Sequence, residues 1–331
     1  MWKDRAGVTA LANNHTLEIT PRLLDLLMCP VCHAAFDVTP AGVQGDSTAL
    51  VCRGCQQRVA VRGGIPRFAP SDRYVSSFSV EWNTFQTTQL DSYTGRSESM
   101  QRLQQSLDAP LEWLRGKLVL DAGCGAGRFA EVALNAGARV VGMDLSYAID
   151  AAARNLQRWD TVDLIQADLM TLPLKPASFD LVMSLGVLHH TPNPKQAFFQ
   201  LRRLVKPGGR ITITVYSGYN KVYVQSTEMW RRLTTRLPLT WVYYLSHLAI
   251  PLYHVYRLPV IGLLGKGIWP ISLHPDPQWR LLDTFDCYTP RYQSFHTHHE
   301  VYRWFQEAGL KDIAVLEPAV SLIGTVPESV S

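Results

Sequence analysis

Asp121-Ala122-Gly123-Cys124-Gly125-Ala126-Gly127 directly follows a short apolar strand pattern that begins at Lys117. Glycines at alternate positions let the backbone approach a ligand closely, and amide N–H groups at the start of the next helix favour an anionic carboxylate. A dinucleotide fingerprint would read G-x-G-x-x-G. Here the third glycine follows after one residue instead of two, and an aspartate precedes the loop.

Strand and helix patterns alternate on both sides of this loop. Repeated βα units predict a Rossmann-like, doubly wound and mostly parallel sheet of seven strands, with its ligand at the carboxyl ends of the strands. The predicted strands are 117–121, 139–144, 162–167, 179–184, 210–215, 312–316 and 320–326, and the predicted helices are 129–136, 147–156, 194–205 and one that Gly309 stops. Asn193 caps the third helix, and Gly208-Gly209 is expected to end it before the fifth strand.

The pattern D-x-G-x-G-x-G resembles the signature of class I S-adenosylmethionine-dependent methyltransferases. The stretches 166–169, 182–190 and 204–210 follow in the order found in families that include the ubiquinone and menaquinone biosynthetic enzymes. Asp144 closes the second strand, where a carboxylate can accept both ribose hydroxyl protons. The resemblance spans about residues 115–216 and implies S-adenosylmethionine as donor, S-adenosylhomocysteine as product, and these cofactor-binding residues: Asp121, Gly123, Gly125, Gly127, Asp144, Leu145, Asp168, Leu169 and Ser184.

Four of the six cysteines form two C-x2-C pairs, Cys29/Cys32 and Cys52/Cys55, separated by nineteen residues. This spacing is typical of a structural tetrathiolate zinc site, and a segment this short needs such a metal because it cannot bury a sufficient core. Disulfides and a redox or iron site are the alternatives. We expect one Zn²⁺, and a ribbon whose stability is separate from that of the larger domain.

Residues 21–68 resemble the short zinc ribbons that activate RNA and protein methyltransferases, and similar ribbons fused to bacterial methyltransferases. The resemblance implies a protein partner for the ribbon. RNA contact through its arginines is an alternative, although a few arginines more often form a solvated face. The formal net charge of +4 is too small to imply polyanion binding. No secretory signal is visible, so we expect a cytoplasmic protein.

His189 and His190 lie just past the fourth strand, where the acceptor should approach. An imidazole can remove a proton from an oxygen or activated carbon near neutral pH. Either histidine is a candidate base, and a structural role for His190 is the alternative. The motif Asn/Asp-Pro-Pro-Tyr/Phe of amino-group methyltransferases is absent at 184–187. We also predict an acceptor pocket that includes Asp286, Tyr292 and His296.

Residues 216–291 form a long aromatic-rich insertion, in which 238–256 contain no charged side chain apart from histidine. Its prolines make it a poor membrane-spanning helix. A helical lid packed on the core is one interpretation. The other is an interfacial segment that admits a lipid-like acceptor, with peripheral contact at the inner face of the membrane.

The predicted organisation is a zinc ribbon at 21–68, a linker and helical segment over the donor site at 69–115, and a methyltransferase domain at 116–331. The first functional hypothesis is O- or C-methylation of a small, hydrophobic or lipid-like acceptor. An RNA base methyltransferase is the second. A donor-binding protein that acts through partners recruited by its ribbon is the third.

Overall fold

The computed structural model describes residues 19–40, 48–69, 75–317 and 319–328. The predicted absence of a secretory signal concerns residues that lie outside these ranges. The strands are β1 (Phe36–Thr39), β2 (Ala49–Cys52), β3 (Arg58–Arg62), β4 (Ile65–Pro66), β5 (Leu118–Ala122), β6 (Arg139–Asp144), β7 (Val162–Gln166), β8 (Phe179–Leu185), β9 (Val205–Val215), β10 (Lys311–Leu316) and β11 (Val320–Thr325).

Helices lie before and between these strands. They are α1 (Pro21–Leu26), α2 (Ser76–Thr84), α3 (Asp91–Thr94), α4 (Glu98–Leu107), α5 (Arg128–Asn135), α6 (Ala148–Leu156), α7 (Pro194–Arg202), α8 (Lys221–Thr234), α9 (Leu239–Ser246), α10 (Ala249–Tyr256), α11 (Pro259–Ile268), α12 (Pro277–Tyr288) and α13 (His298–Glu307). No helix among the described residues is both long and apolar enough to cross a membrane.

The main sheet has seven strands in the order β10-β11-β9-β8-β5-β6-β7. Five of them, from β9 to β7 in that order, are parallel, and β10 and β11 add an antiparallel edge. Every residue of β5 is buried because the strand lies mid-sheet with helices on both faces. The predicted Rossmann-like, mostly parallel seven-stranded fold is confirmed.

One predicted boundary is wrong. The third predicted helix ends at Arg202, and β9 already begins at Val205, which pairs with Phe179. The register then shifts, so that Arg210 pairs with Leu181 and Gly208-Gly209 lies inside the strand instead of before it. Gly208 has a φ of +74°, which glycine tolerates without strain, and this lets the chain bulge without leaving the sheet.

The ribbon consists of α1 and the antiparallel sheet β1-β2-β3-β4. It joins the main domain through backbone bridges from Leu27 to Leu174 and from Arg67 to Gln166. Leu23, Leu27 and Phe36 belong to the same hydrophobic cluster as residues of the main sheet. Because the two parts bury their apolar faces against each other, this packing favours coupled stability over the separate stability expected from the sequence.

The insertion between β9 and α13 contains five helices, α8 to α12. Helix α12 is the most buried of them, and Asp276 begins it by accepting hydrogen bonds from the backbone N–H groups of Gln278 and Trp279. It contacts α2, α8, α9 and α10. These contacts place one face of α12 over the carboxyl end of the sheet, where the functional side chains meet.

Candidate functional site

The glycine loop between β5 and α5 has a backbone that only glycine adopts easily. Gly123, Gly125 and Gly127 have φ values of +86°, +53° and +93°. A Cβ at Gly123 would lie 2.4 Å from a Val187 side-chain carbon, and one at Gly125 would lie 3.2 Å from the Trp82 ring. The glycines therefore let Val187 and Trp82 pack directly against the loop, and Trp82 covers it from α2.

Asp144 stands at the end of β6 and organises this loop. Its Oδ2 accepts a hydrogen bond of 2.8 Å from the N–H of Gly125, and its Oδ1 accepts bonds from the N–H and hydroxyl of Ser146. Burial raises the pKa of Asp144, and these hydrogen bonds oppose the rise. A carboxylate held this way keeps lone pairs directed at the cavity.

Asp121, at the end of β5, is buried, and its Oδ2 has no hydrogen-bond partner among the described residues. Burial raises the pKa of Asp121 to about 7. A buried carboxyl oxygen without a partner costs free energy unless a ligand satisfies it. A cationic group of a bound molecule would do so.

The glycine loop and Asp144 line one cavity of about 440 Å³, whereas Asp121 is buried and does not line it. Its donor side is formed by Gly123, Gly125, Asp144, Leu145 and Leu169, all predicted cofactor-binding residues. The other predicted members of that set do not line the cavity. Ser184 donates to the carbonyl of Ala122, Asp168 accepts from the N–H of Met170, Gly127 is the N-cap of α5, and Asp121 is buried in β5.

The opposite side of the cavity carries a group of buried polar side chains. Glu81, His190, Tyr216, Asp283 and Asp286 line it. Burial, reinforced by the charges of Asp286 and Asp283, raises the pKa of Glu81 well above its usual value. Burial also raises the pKa of Asp283 to about 6. Burial therefore makes Glu81 and Asp283 weaker acids than exposed carboxyls.

Asp286 lies at the centre of this group. Its Oδ2 accepts a hydrogen bond of 2.7 Å from the Tyr216 hydroxyl, and its Oδ1 lies 3.8 Å from Nε2 of His190. Neither that oxygen nor that nitrogen has a hydrogen-bond partner among the described residues. Both atoms are buried and lack the hydrogen-bond partner that a buried polar atom normally has.

The two neighbouring histidines differ in their surroundings. Nδ1 of His190 lies 3.1 Å from the carbonyl oxygen of Tyr292, which can only accept, so Nδ1 carries the proton and Nε2 is the unprotonated nitrogen. Burial lowers the pKa of His190. His189 is fully buried, stacks on Tyr216 at 3.8 Å between ring centroids, and does not line the cavity.

Of the three residues predicted for the acceptor pocket, Asp286 lines the cavity, whereas Tyr292 and His296 do not. Tyr292 supplies the carbonyl that orients His190. The ring of His296 bonds to Ser294 and Glu300, so it supports the wall from behind.

The sequence analysis missed several wall residues, namely Glu81, Trp82, Arg102, Tyr216 and Asp283. Asp283 and Asp286 are three residues apart on α12, and an i, i+3 pair on one helix face could have indicated that both point to one site. Glu81 gave no such signal, because it reaches the cavity from a helix that precedes the main domain.

The four ribbon cysteines, Cys29, Cys32, Cys52 and Cys55, are brought together as predicted. Their sulfur atoms all lie within 4.8 Å of one another. The Sγ–Sγ distances are 3.7 Å for Cys29 and Cys55 and 3.3 Å for Cys32 and Cys52. A tetrahedral Zn²⁺ with bonds of about 2.3 Å requires separations of about 3.8 Å. The cysteine cluster fits a zinc ion closely.

The donor side likewise fits S-adenosylmethionine. The unpartnered oxygen of Asp121 can pair with the ammonium group of the donor. The glycine loop can lie close to the donor's carboxylate, and Asp144 can accept hydrogen bonds from the ribose hydroxyls.

Comparisons with known proteins agree with this geometry. Residues 120–213 match the family model described as a methyltransferase domain. The predicted resemblance to methyltransferases is thereby confirmed over residues 120–213.

Similar proteins include two ubiquinone biosynthesis O-methyltransferases. That of Pseudomonas paraeruginosa is 38% identical over 115 residues, or 34% of this chain and 49% of the relative. That of Dechloromonas aromatica is 37% identical over 114 residues, or 34% and 49%. The chain therefore spans about half the length of these relatives. A solved complex of the Haloferax volcanii Trm112 methyltransferase activator has 16% identity and a TM-score of 0.45, and the match covers 77% of this chain and 99% of that one.

Proposed function

We propose that this chain is an S-adenosylmethionine-dependent methyltransferase that methylates an oxygen or an activated carbon of a small acceptor with an apolar body. The observation that carries the proposal is the single cavity in which the glycine loop and Asp144 face a neutral, unpartnered nitrogen of His190. The methyltransferase domain match and the O-methyltransferase relatives support it.

When bound, S-adenosylmethionine supplies an electrophilic methyl group. Asp144 would accept hydrogen bonds from the ribose hydroxyls, Asp121 would pair with the ammonium group, and the Gly123–Gly125 backbone would lie against the methionine end. Alignment of donor and acceptor is the main task of the protein, since such alignment can contribute roughly 7–11 kcal/mol. Trp82 would close this side against water.

His190 is our candidate general base. The carbonyl of Tyr292 fixes its tautomer, so Nε2 holds the lone pair, and the residue lines the cavity. As the acceptor oxygen or carbon attacks the methyl group, its proton would pass to Nε2. Asp286, whose Oδ1 lies 3.8 Å away, would stabilise the imidazolium that results. His189 lacks both the access and the fixed tautomer, so we assign it a packing role against Tyr216.

The acceptor side combines carboxyls with apolar surface from Phe78, Ile271 and Leu282. Glu81 and Asp283 can hydrogen-bond a hydroxyl-bearing head group, while the apolar surface suits a ring or chain. An RNA acceptor is disfavoured, because phosphates would approach carboxyls on this side.

The proposal also includes the three predicted domain ranges and the single structural Zn²⁺.

The first experiment identifies the acceptor pool. The protein is incubated with S-adenosylmethionine labelled at the methyl group, together with either the organic-solvent extract or the total RNA of source cells that lack the gene. We expect label in the organic extract. Label confined to RNA would refute the proposed acceptor class, and label in neither pool would favour a non-catalytic donor-binding protein.

The second experiment tests the base with the acceptor fraction so found. His190→Gln should lower the turnover rate by about 10²–10⁴-fold and leave donor affinity unchanged. His299→Gln, at an exposed histidine, is the matched control. If His189→Gln lowers turnover as much as His190→Gln in folded protein, the assignment to His190 is wrong.

A further inference from the structure

The surface of the insertion carries an unusual concentration of exposed apolar side chains. Fourteen of the twenty exposed large hydrophobic residues in the described part of the chain lie between Tyr219 and Ile268. Monomeric soluble proteins rarely leave large contiguous apolar patches open, and such patches mark interaction sites.

Two of the helices present rows of these side chains at helical spacing. On α9 the exposed residues are Trp241 and Tyr244, at 65% and 68% exposure, followed one turn later by Leu248. On α11 they are Val260, Leu264 and Ile268, each four residues from the next. The opposite sides of the insertion are packed, since Val242 and Phe285 form a buried cluster beneath α9. The exposed rows are therefore outward faces of folded helices.

The charge of this segment is one-sided. Residues 229–275 contain no aspartate or glutamate, but they contain four arginines and one lysine. Arg232, Arg236 and Arg257 are exposed around the apolar rows. Aromatic and aliphatic side chains bordered by cations suit the boundary between lipid acyl chains and anionic headgroups. Pairing of two copies through this face would bring like charges together, which disfavours a dimer.

We infer that the exposed faces of α9 and α11 dock on an anionic lipid surface. The chain would lie on the membrane without crossing it, because none of these helices is long enough to span a bilayer. Helix α12 belongs to the same insertion and lines the cavity with Leu282, Asp283 and Asp286. Docking would therefore place the acceptor side of the cavity next to the lipid. This inference does not depend on the proposed methyl transfer, because membrane binding needs no substrate.

Flotation with vesicles tests the inference directly. The full chain is mixed with vesicles of pure phosphatidylcholine or of equal parts phosphatidylcholine and phosphatidylglycerol. We expect flotation with the mixed vesicles at low salt, little with the neutral ones, and release at about 1 M salt, where the screening length falls to about 3 Å.

Three triple variants and two control triples assign the binding to this surface. Replacing the α9 row or the α11 row by serine should weaken binding about tenfold or more, because the apolar area that enters the lipid is lost. The matched control replaces three equally exposed hydrophobic residues elsewhere, and the charge variant is compared with exposed arginines outside the insertion. The α9 triple is Trp241, Tyr244 and Leu248→Ser, and the α11 triple is Val260, Leu264 and Ile268→Ser. Their apolar control is Val31, Tyr93 and Val315→Ser. The charge variant is Arg232, Arg236 and Arg257→Gln, and its control is Arg58, Arg62 and Arg139→Gln.

The controls should float like the unmodified chain, and the arginine variant of the insertion should lose the preference for mixed vesicles. An unmodified chain that does not float would overturn the inference, as would a control triple that binds as poorly as the α9 triple. Sedimentation in buffer tests the alternative that a second copy of the chain binds this face. A stable dimer that the α9 triple dissociates would assign this face to a second copy of the chain instead.

Discussion

We expect donor binding to depend most on Asp144. Asp144→Ala would remove the oxygens proposed to hold the ribose and would also release the N–H of Gly125, which Asp144 now holds at 2.8 Å. We expect donor affinity to fall by about 1–3 kcal/mol, as is typical when polar groups are left imperfectly paired. Titration calorimetry with S-adenosylmethionine would measure it. The donor affinity of Asp144→Asn, which keeps one acceptor oxygen, should lie between those of the unmodified protein and Asp144→Ala. Unchanged affinity in folded Asp144→Ala protein would contradict the proposed donor site.

Asp121 predicts a pH dependence whose sign differs for binding and stability. Its pKa is raised to about 7 by burial, so the donor-free protein takes up a proton there as pH falls. A cationic ligand group favours the ionised form, so donor affinity should decrease below about pH 7. Stability should change in the opposite direction. Between the unfolded pKa near 4 and the folded pKa, the folded state binds more protons, and the donor-free protein loses stability as pH rises.

Asp121→Asn separates these effects. In this variant donor affinity should no longer decrease below pH 7. The thermal stability of the donor-free variant should also no longer decrease as the pH rises from about 4 to about 7. Affinity that is constant from pH 6 to pH 8 in the unmodified protein would show that Asp121 does not meet the ammonium group.

The histidine pair shows where residue-level prediction from sequence stops. His189 and His190 are adjacent and chemically identical in the sequence, so the pattern identifies their place at the end of the fourth strand but not their roles. The roles of the two histidines differ because the carbonyl of Tyr292, 102 residues after His190, orients that ring, whereas His189 stacks on Tyr216. Tertiary contacts of this kind leave no local signal.

At the scale of elements, buried parallel strands were predictable because each is a short apolar run between helical patterns. The strand Arg139–Asp144 has the predicted bounds, and the others in the parallel part differ at one or two ends. The error at β9 arose because Gly208-Gly209 is a common stop signal, whereas here pairing of Val205 with Phe179 carries the strand past it. Long-range pairing therefore prevailed over local turn preference.

Helix α2 and helix α12 define the acceptor side together, yet they lie about two hundred residues apart in sequence. Glu81 on α2 and Asp286 on α12 are close enough for the charge of one to raise the pKa of the other. Neither helix carries the signature of the family, so the donor side was largely predictable and most of the acceptor side was not.

At the scale of the whole molecule, the ribbon is a structural support for the donor site. Arg67, next to the last ribbon strand, donates to Oε1 of Gln166, and Nε2 of Gln166 donates to the carbonyl of Leu145 on the donor wall. Phe68 also donates from its backbone to Gln166. The ribbon and the sheet share one hydrophobic cluster. Removal of the proposed zinc ion would therefore destabilise the donor wall as well as the ribbon.

We predict that Cys52→Ser abolishes stoichiometric zinc, lowers the unfolding temperature of the whole chain in a single transition, and weakens donor binding about fivefold or more. The physical reason is that a loosened ribbon exposes the apolar side of Leu23, Leu27 and Phe36 and frees Gln166. Metal analysis, calorimetric unfolding and donor titration would measure the three effects. Val31→Ala, an exposed change in the same knuckle that keeps all four thiolates, should leave them unaltered. Two separate unfolding transitions, with donor affinity intact after zinc loss, would show instead that the ribbon and the methyltransferase domain are energetically independent despite their shared core.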